Sequence, residues 1–358
     1  MKLLHVETGE HLYGGAQQVA YLLEGLAARG VDNVLVCPPG AAIGAHFAGS
    51  AVNVVEVPCK GDADLAFVPR LTRVLREQQP DLVHLHSRRG ADVLGGIAAK
   101  IAGVPAVLSR RVDNAEARWW AQRKYRLYAR TVCISEGIAA VLRSEGVDDA
   151  RIRVVRSAVQ AEPWRHSESR AAFCAEFGVT GDAVIIGVVA QLIERKGHRV
   201  LFEALRGLPS TQKIELVIFG QGALREALES EAATLPLNVR FAGFRKDLPR
   251  WVGCLDLLVH PALMEGLGVS LLQASAASVP IIASRAGGMP EAVRDGLNGL
   301  LVPPGDALAL RAAIAELVAN PEQRRALGAA GSRLIDAEFS TEAMVEGNLA
   351  VYQDLLGI

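Results

Sequence analysis

The chain has 358 residues, half of them hydrophobic and only 5% aromatic, with a formal net charge of −1. That length suits two domains of ordinary size, and the near-zero charge gives no overall attraction to nucleic acid or to an anionic membrane. Cys37, Cys59, Cys133, Cys174 and Cys254 are scattered with no CxxC pair, which excludes a disulfide frame or a zinc site and fits reduced thiols.

The opening "MKLLHVETGEHLYGG" has a short apolar run, broken by His5 and Glu7, so no secretory signal is expected there. No stretch approaches the length of a membrane span, and a soluble, cytoplasmic protein is expected. In the first half, strands read "KLLHVE", "NVLVCP", "NVVEVP", "DLVHLH", "AVLSRR" and "TVCIS", with helices between them such as 16–29 and 92–102. In the second half come "AVIIGVVAQ", "KIELVIFG", "VRFAGF", "DLLVHP", "PIIAS" and "GLLVP", again alternating with helices. Strands apolar on both faces and joined by helices mean parallel sheets covered on both sides. Two in succession suggest an α/β protein of two Rossmann-like domains with a cleft between them and C-terminal helices. The polar stretch "QAEPWRHSES" is the linker candidate, which places an N-terminal domain at 1–165 and a second at 166–338. Residues 339–358 form a last helix, capped by Ser340 and Thr341 and expected to pack back on the N-terminal domain.

Ligands of such sheets sit beyond the carboxyl ends of the strands, where loops meet helix N-termini. Gly14 and Gly15 follow the first strand and lead into a helix. They either let the backbone approach a phosphate or make a ligand-free tight turn. Arg195 and Lys196 follow the first strand of the second half, just before Gly197 and His198 open a helix. A donor fork and a point charge there suit a diphosphate, whereas two basic residues on a solvated loop are the plainer alternative. Glu265 stands in a Gly-rich turn after an apolar strand, and Gln273 follows two helical turns later.

In this order, "AQLIERKG", "EGLGVSLLQ" and "GGMPE", with "FGQGALREALE", "FAGFRKDL" and "DGLNGLLVPPGD", the sequence resembles glycosyltransferase family 4. The resemblance covers nearly the whole chain, more tightly in its second half. It implies the two-Rossmann (GT-B) architecture and a retaining, metal-independent enzyme that takes its sugar from a nucleoside diphosphate. On that basis Glu265, Arg195 and Lys196 are the expected catalytic residues. Donor binding would fall to Gly14, Gly15, Arg195, Lys196, Glu265, the first-turn N–H groups of Gly268, Val269 and Ser270, and Gln273. The family's second glutamate, which grips the ribose hydroxyls, falls on Gln273. A carboxamide there either still binds ribose, more weakly, or is a packed polar residue.

The first half departs further from the family. A frequent histidine after "PAVLSRR" is replaced by Arg110 and Arg111, and the junction reads "RSAVQ" instead of an Asn-Gly turn. Acceptor contacts are expected from His86, Arg110, Arg111 and Gln17. A buried structural role is the alternative for His86 and for His84, which shares its face.

No cofactor and no metal are expected. Asp62 and Asp64 make the one D-x-D and are expected to cap the helix that follows. No His, Cys or carboxylate cluster is visible along the chain.

From Arg110 to Arg130 there are seven Lys or Arg against two Asp or Glu, with Trp119, Trp120, Tyr125 and Tyr128 interleaved; Arg88, Arg89 and Lys100 add to the bias. Such a segment either meets a membrane surface or polyanion, or is a solvated helix with its aromatics in the core. It fits an anionic acceptor, a lipopolysaccharide-type or polyprenyl-linked glycan, met peripherally at the cytoplasmic face of the inner membrane. The expected function is glycosyl transfer in bacterial cell-surface polysaccharide or lipopolysaccharide synthesis, with no nucleic acid as partner. A nucleotide-sugar epimerase, with Glu265 and Glu291 as acid and base, and a non-catalytic nucleotide-sugar binder are the alternatives. A nicotinamide dehydrogenase lacks its G-x-G-x-x-G.

Overall fold

The computed structural model describes residues 1–88, 90–208 and 213–358. The chain divides into two compact units, Met1–Ala158 with Thr341–Ile358, and Val159–Ser340.

The first unit holds strands β1 (Lys2–Val6), β2 (Asp32–Cys37), β3 (Asn53–Glu56), β4 (Leu82–Leu85), β5 (Ala106–Arg110), β6 (Arg130–Cys133) and β7 (Ile152–Val154). They pair in the order β3-β2-β1-β4-β5-β6-β7, all parallel. β4 and β5 are buried throughout, which is why their sequences read as unbroken runs rather than alternating ones. β7 is a strand beyond the six expected. It has three residues, "IRV", at the sheet's edge, too short and too polar to stand out in the sequence. Chain order reverses between β1 and β4, so the loops leaving these two strands diverge and open a space above their carboxyl ends.

Register decides which side chains meet there. His5 is opposite His84, and His84 is opposite Val107. Paired residues and those two further along share a face, so His5, His84, His86 and Ser109 lie together. The helix Thr341–Leu356 belongs to this unit and packs Met344, Val345, Val351 and Tyr352 into the cluster containing Leu3, Leu22 and Leu26.

The second unit holds β8 (Val184–Val189), β9 (Ile214–Phe219), β10 (Asn238–Gly243), β11 (Leu257–His260), β12 (Ile281–Ser284) and β13 (Gly299–Val302). Their order is β10-β9-β8-β11-β12-β13, again parallel. The helix His198–Arg206 lays Leu201, Phe202 and Leu205 against Ile186, Ile218 and Val259. Each such side chain contributes about 1.5–3 kcal/mol by leaving water, so the start of this helix is firmly held.

Three expectations need revision. The division falls after Ala158, not after 165, because 159–165 joins the second unit. The expected Asp62/Asp64 cap is not made: the helix Phe67–Gln78 has Ala66 at its N-cap and no side-chain cap. Asp64 instead holds the N–H of Lys60 at 2.9 Å and the Arg70 guanidinium, while Asp62 accepts from the N–H of Gly90. Helix 92–102 starts as a wider π-turn, Ala91–Gly95, before the α-helix Gly96–Ala102. Among the described residues, no helix is long and apolar enough to cross a membrane.

Candidate active site

In the second unit the loop after β8 turns at Gly197, whose φ is +68°; a Cβ there would lie 2.0 Å from the carbonyl oxygen of Pro261. Only glycine lets this loop press so closely on the one after β11. The N–H of Leu263 donates to the carbonyl of Arg195 at 2.8 Å and ties the two loops together. That approach brings Lys196 Nζ into an ion pair with Glu265 Oε2. His260, the last residue of β11, places Nε2 3.1 Å from the same oxygen, and the N–H of Gly266 reaches Oε1 at 3.3 Å. The carbonyl of Glu265 accepts from the N–H of Gly288 at 3.2 Å. Three segments far apart in sequence, "ERKG", "EGLG" and "GGMPE", thus meet at one point.

Burial by itself would push the Glu265 carboxyl up. The hydrogen bond from His260 and the charge of Lys196 override it and hold the group well below the usual range. Burial also lowers His260. A neutral His260 therefore donates its Nε2–H to the carboxylate, and its Nδ1 has no partner. His198 is lowered to about 4, by burial first and then by His260 and Lys196; neither of its nitrogens has a partner. His260 was not among the expected site residues. Its signal was present, a histidine ending the strand five residues before the carboxylate.

Arg195 and Lys196, alike in the sequence, are separated by the structure. Lys196 is buried, whereas Arg195 is exposed and its guanidinium donates to the carbonyl of Met264 at 3.3 Å. Gly268, at φ +88°, opens the helix Val269–Ala276, which has no side-chain cap and no acidic residue in its first turn. The N–H of Leu271 donates to the carbonyl of Gly268 at 2.9 Å, whereas those of Val269 and Ser270 have no partner within the helix and suit an anion or hydroxyl. Ser270 and Gln273, both half-buried, stand three apart and so share a face of this helix.

The first unit has its own cavity of about 600 Å³, lined among others by Glu7, Gly15, His86, Arg88, Arg110 and Arg111. Gly15 starts the helix Gly15–Ala28; a Cβ there would sit 3.4 Å from Cδ of Arg111. Gly14, at φ +55°, is its N-cap and is not among the lining residues. Gln17 is half-buried and does not line the cavity either. Its neighbour Gln18 is structural, exchanging hydrogen bonds of 2.8 and 2.7 Å with the backbone of Ala158.

Apart from Glu10 and His11, which also line it, the cavity's charges fall into two groups. Lys124 holds Asp92 at 2.5 Å and Glu116 at 2.9 Å, and Arg110 stands 3.7 Å from Glu116. These two cations and two carboxylates neutralise one another. Arg111 lies outside that set. Its pKa is lowered by burial against the opposing charge of Glu7, and its Nε has no partner. Glu7 is itself occupied by the hydroxyl of Ser87 and the N–H of Gly9. Arg88 is exposed and, among the described residues, bonds the side chain of Asn114, at 3.0 Å.

His86 lines this cavity, but both its ring nitrogens point into the protein, Nδ1 to Ser109 at 3.3 Å and Nε2 to His5 at 3.0 Å. It has no nitrogen left for an acceptor, which corrects the expected role. It also belongs to a histidine cluster that the sequence did not reveal, because strand register assembled it.

The basic aromatic segment divides. Tyr125 and Tyr128 are each 1% exposed and belong to the core, whereas Trp119 is 62% and Trp120 37% exposed. Arg123 lies over the Trp119 ring at 5.7 Å. Arg89 lies outside the described residues.

Known proteins of this build carry the same pair of sheets. The family model described as "Glycosyl transferases group 1" matches residues 170–334, and "Glycosyl transferase 4-like domain" matches 13–158. The chain is 27% identical to the lipopolysaccharide core biosynthesis glycosyltransferase LpsE of Rhizobium meliloti, over 98% of each chain. It is 29% identical to a GDP-mannose-dependent alpha-mannosyltransferase of Corynebacterium glutamicum, over 96% of this chain and 86% of that one. Among solved structures, Anabaena HepE in complex with UDP superposes with a TM-score of 0.86 at 19% identity, over 99% and 100% of the two chains. The class is that of the two-Rossmann GT-B glycosyltransferases. Within it, this chain belongs to the family 4-like glycosyltransferases.

Proposed function

We propose that this chain is a retaining glycosyltransferase that moves a sugar from a nucleoside-diphosphate sugar to an anionic glycan or glycolipid, in bacterial cell-surface polysaccharide or lipopolysaccharide synthesis, without a metal. The observation that carries it is the convergence of Lys196, Glu265 and His260 beside the exposed Arg195 at the carboxyl end of a parallel sheet. Glu265 accepts hydroxyls of the sugar, and His260 keeps its carboxylate aimed. Arg195 and Lys196 meet the diphosphate and stabilise the charge it gains as the anomeric C–O bond breaks. The acceptor oxygen forms its bond on the face the diphosphate leaves, and its proton passes to a phosphate oxygen. No protein nucleophile enters. First-turn N–H groups of Gly268, Val269 and Ser270 bind the donor, as do Gly14 and Gly15, and Gln273 takes the ribose. The relatives' names support such a donor, GDP-mannose in one and UDP in another. Arg88 and Arg111 attract an acidic acceptor, and Trp119 and Trp120 rest on the cytoplasmic face of the membrane that carries it.

The test is a panel of UDP-, GDP-, ADP- and TDP-sugars against lipopolysaccharide-core and polyprenyl-linked acceptors, with and without EDTA. Nucleoside diphosphate should be released only with acceptor, EDTA should change nothing, and NMR should show the donor's anomeric configuration kept. Inversion overturns the mechanism, epimer formation without acceptor points to the other enzyme class, and no turnover across the panel removes the proposal.

A further inference from the structure

Beneath the first unit's cavity runs a line of buried polar side chains that sugar transfer, as set out above, does not use. Tyr352 Oη lies 2.6 Å from His84 Nδ1, and His84 Nε2 lies 2.9 Å from Ser109 Oγ. Ser109 Oγ is 3.3 Å from His86 Nδ1, and His86 Nε2 is 3.0 Å from His5 Nδ1. At the far end, Asn33 Nδ2 donates to the carbonyl of Val31 at 2.8 Å. Register sets Asn33 opposite Leu3, hence diagonal to His5 on the same face of the sheet, and the Asn33 side chain opposes the effect of burial on His5. His5 Nε2 and Asn33 Oδ1 are both buried without another hydrogen-bond partner, so each is the polar atom left to face the other.

The direction of every bond follows from that end. A carbonyl only accepts, so the NH₂ of Asn33 faces Val31 and its oxygen faces His5. That oxygen only accepts as well, so His5 carries its proton on Nε2. Burial holds His5 down to about 3, hence the ring is neutral and Nδ1 is bare. The bare Nδ1 accepts from His86 Nε2–H, which leaves His86 Nδ1 to accept from the Ser109 hydroxyl. The Ser109 oxygen then accepts from His84 Nε2–H, and His84 Nδ1 from the Tyr352 hydroxyl. The opposite direction would set a bare nitrogen against the Asn33 oxygen. We propose that this is a one-way hydrogen-bond chain fixing His5, His84 and His86 as neutral, Nε2-protonated rings, with Asn33 as the positioning residue for a cavity it does not line.

Two consequences follow. The three rings offer nitrogens within 4.8 Å of one another, a spacing a metal ion could use, but the chain already engages those lone pairs. The groups that face the rings are Arg111, Tyr352 and, beyond Arg111, Glu7. With the imidazoles neutral, the three rings add no charge of their own to that of Arg111 and Arg88; His11, which also lines the cavity, lies outside the chain. This last step rests on the cavity taking the acidic acceptor; the tautomers do not.

The experiment is long-range ¹H–¹⁵N spectroscopy of the full chain with ¹⁵N-labelled histidine. All three rings should show bare Nδ1 and protonated Nε2 at pH 7, unchanged from pH 8 to 5.5. Tyr352→Phe should keep those tautomers, because Asn33 sets the direction. Asn33→Leu should mix them, and Asn33→Asp, which retains an acceptor, should restore them. A native ring carrying Nδ1–H or a full charge at pH 7, or spectra unmoved by Asn33→Leu, overturns the chain. So does a shift of all three rings on adding one equivalent of Zn²⁺.

Sulfate serves as the anion probe, with every titration in a His11→Gln background because that histidine also lines the cavity; without further change it should bind equally at pH 5.5 and 8. In Asn33→Asp it should bind roughly threefold tighter at pH 5.5, because the new carboxylate lets the rings gain a proton beside Arg111. A flat response there overturns the positioning role. Native protein that binds no sulfate, with the tautomers as stated, removes the acidic-acceptor proposal and upholds the chain.

Discussion

Replacing Lys196 by methionine keeps the volume and stem of the side chain and removes its charge. Glu265, its side chain 14% exposed, would then be a nearly buried carboxylate with two neutral donors left, His260 at 3.1 Å and the N–H of Gly266 at 3.3 Å. Breaking a buried pair costs about 3–5 kcal/mol because the surviving charge stays desolvated. With those two donors in place the lower end applies, about 3 kcal/mol. The exposed Arg195 is the control: Arg195→Met should cost under about 0.5 kcal/mol of stability. The double variant Lys196→Met/Glu265→Gln removes both charges and should recover to within about 1 kcal/mol of native. Urea unfolding can be followed in a Trp119→Phe/Trp120→Phe background, which leaves Trp164 and Trp251, both buried and both in the second unit, as reporters. A Lys196→Met protein within about 1 kcal/mol of native, or a double variant no better than the single, would refute the pairing as the local source of stability.

His5, His84, His86, His198 and His260 all have pKa values lowered by burial. The unfolded chain therefore binds protons that the fold refuses. Their contribution is complete above the unfolded value near 6.5 and is lost as pH falls below it. The unfolding free energy from urea curves should fall from pH 6.5 towards 4, by up to about 1.4 kcal/mol per pH unit for each ring, and a flat profile would mean the rings are charged in the fold. Gln273→Glu should tighten donor binding by about 1 kcal/mol with little change in turnover, and lose that gain with a 2′-deoxyribose donor; equal gains with both donors would take Gln273 off the ribose. Trp119→Ser/Trp120→Ser should reduce sedimentation with anionic liposomes at least several-fold without changing turnover on a soluble acceptor, and unchanged sedimentation would detach those rings from any membrane role.

Apolar strand runs, their alternation with helices and the glycines at loop–helix junctions were legible in the sequence, because strand and helix periodicities and φ > 0 turns are local properties. The three motif segments of the second unit were legible for the same reason, each being a short loop with its own chemistry. Their convergence was not. Lys196 and Glu265 meet only because Gly197 lets one loop press on Pro261. The unequal exposure of Arg195 and Lys196 is a consequence of that contact, invisible in two adjacent letters. In the first unit, the sequence offered "VHLHS" as a pair of histidines. Register then set His5 opposite His84, and the last helix brought in Tyr352 from the other end of the chain. Composition singled out a basic aromatic segment, yet packing alone sent its tyrosines inward, left its tryptophans in solvent and neutralised Lys124 against two carboxylates. Local sequence fixes what a backbone segment can be. Which charges remain free is a property of three-dimensional neighbours, since it depends on desolvation and on partners that only the packed chain supplies.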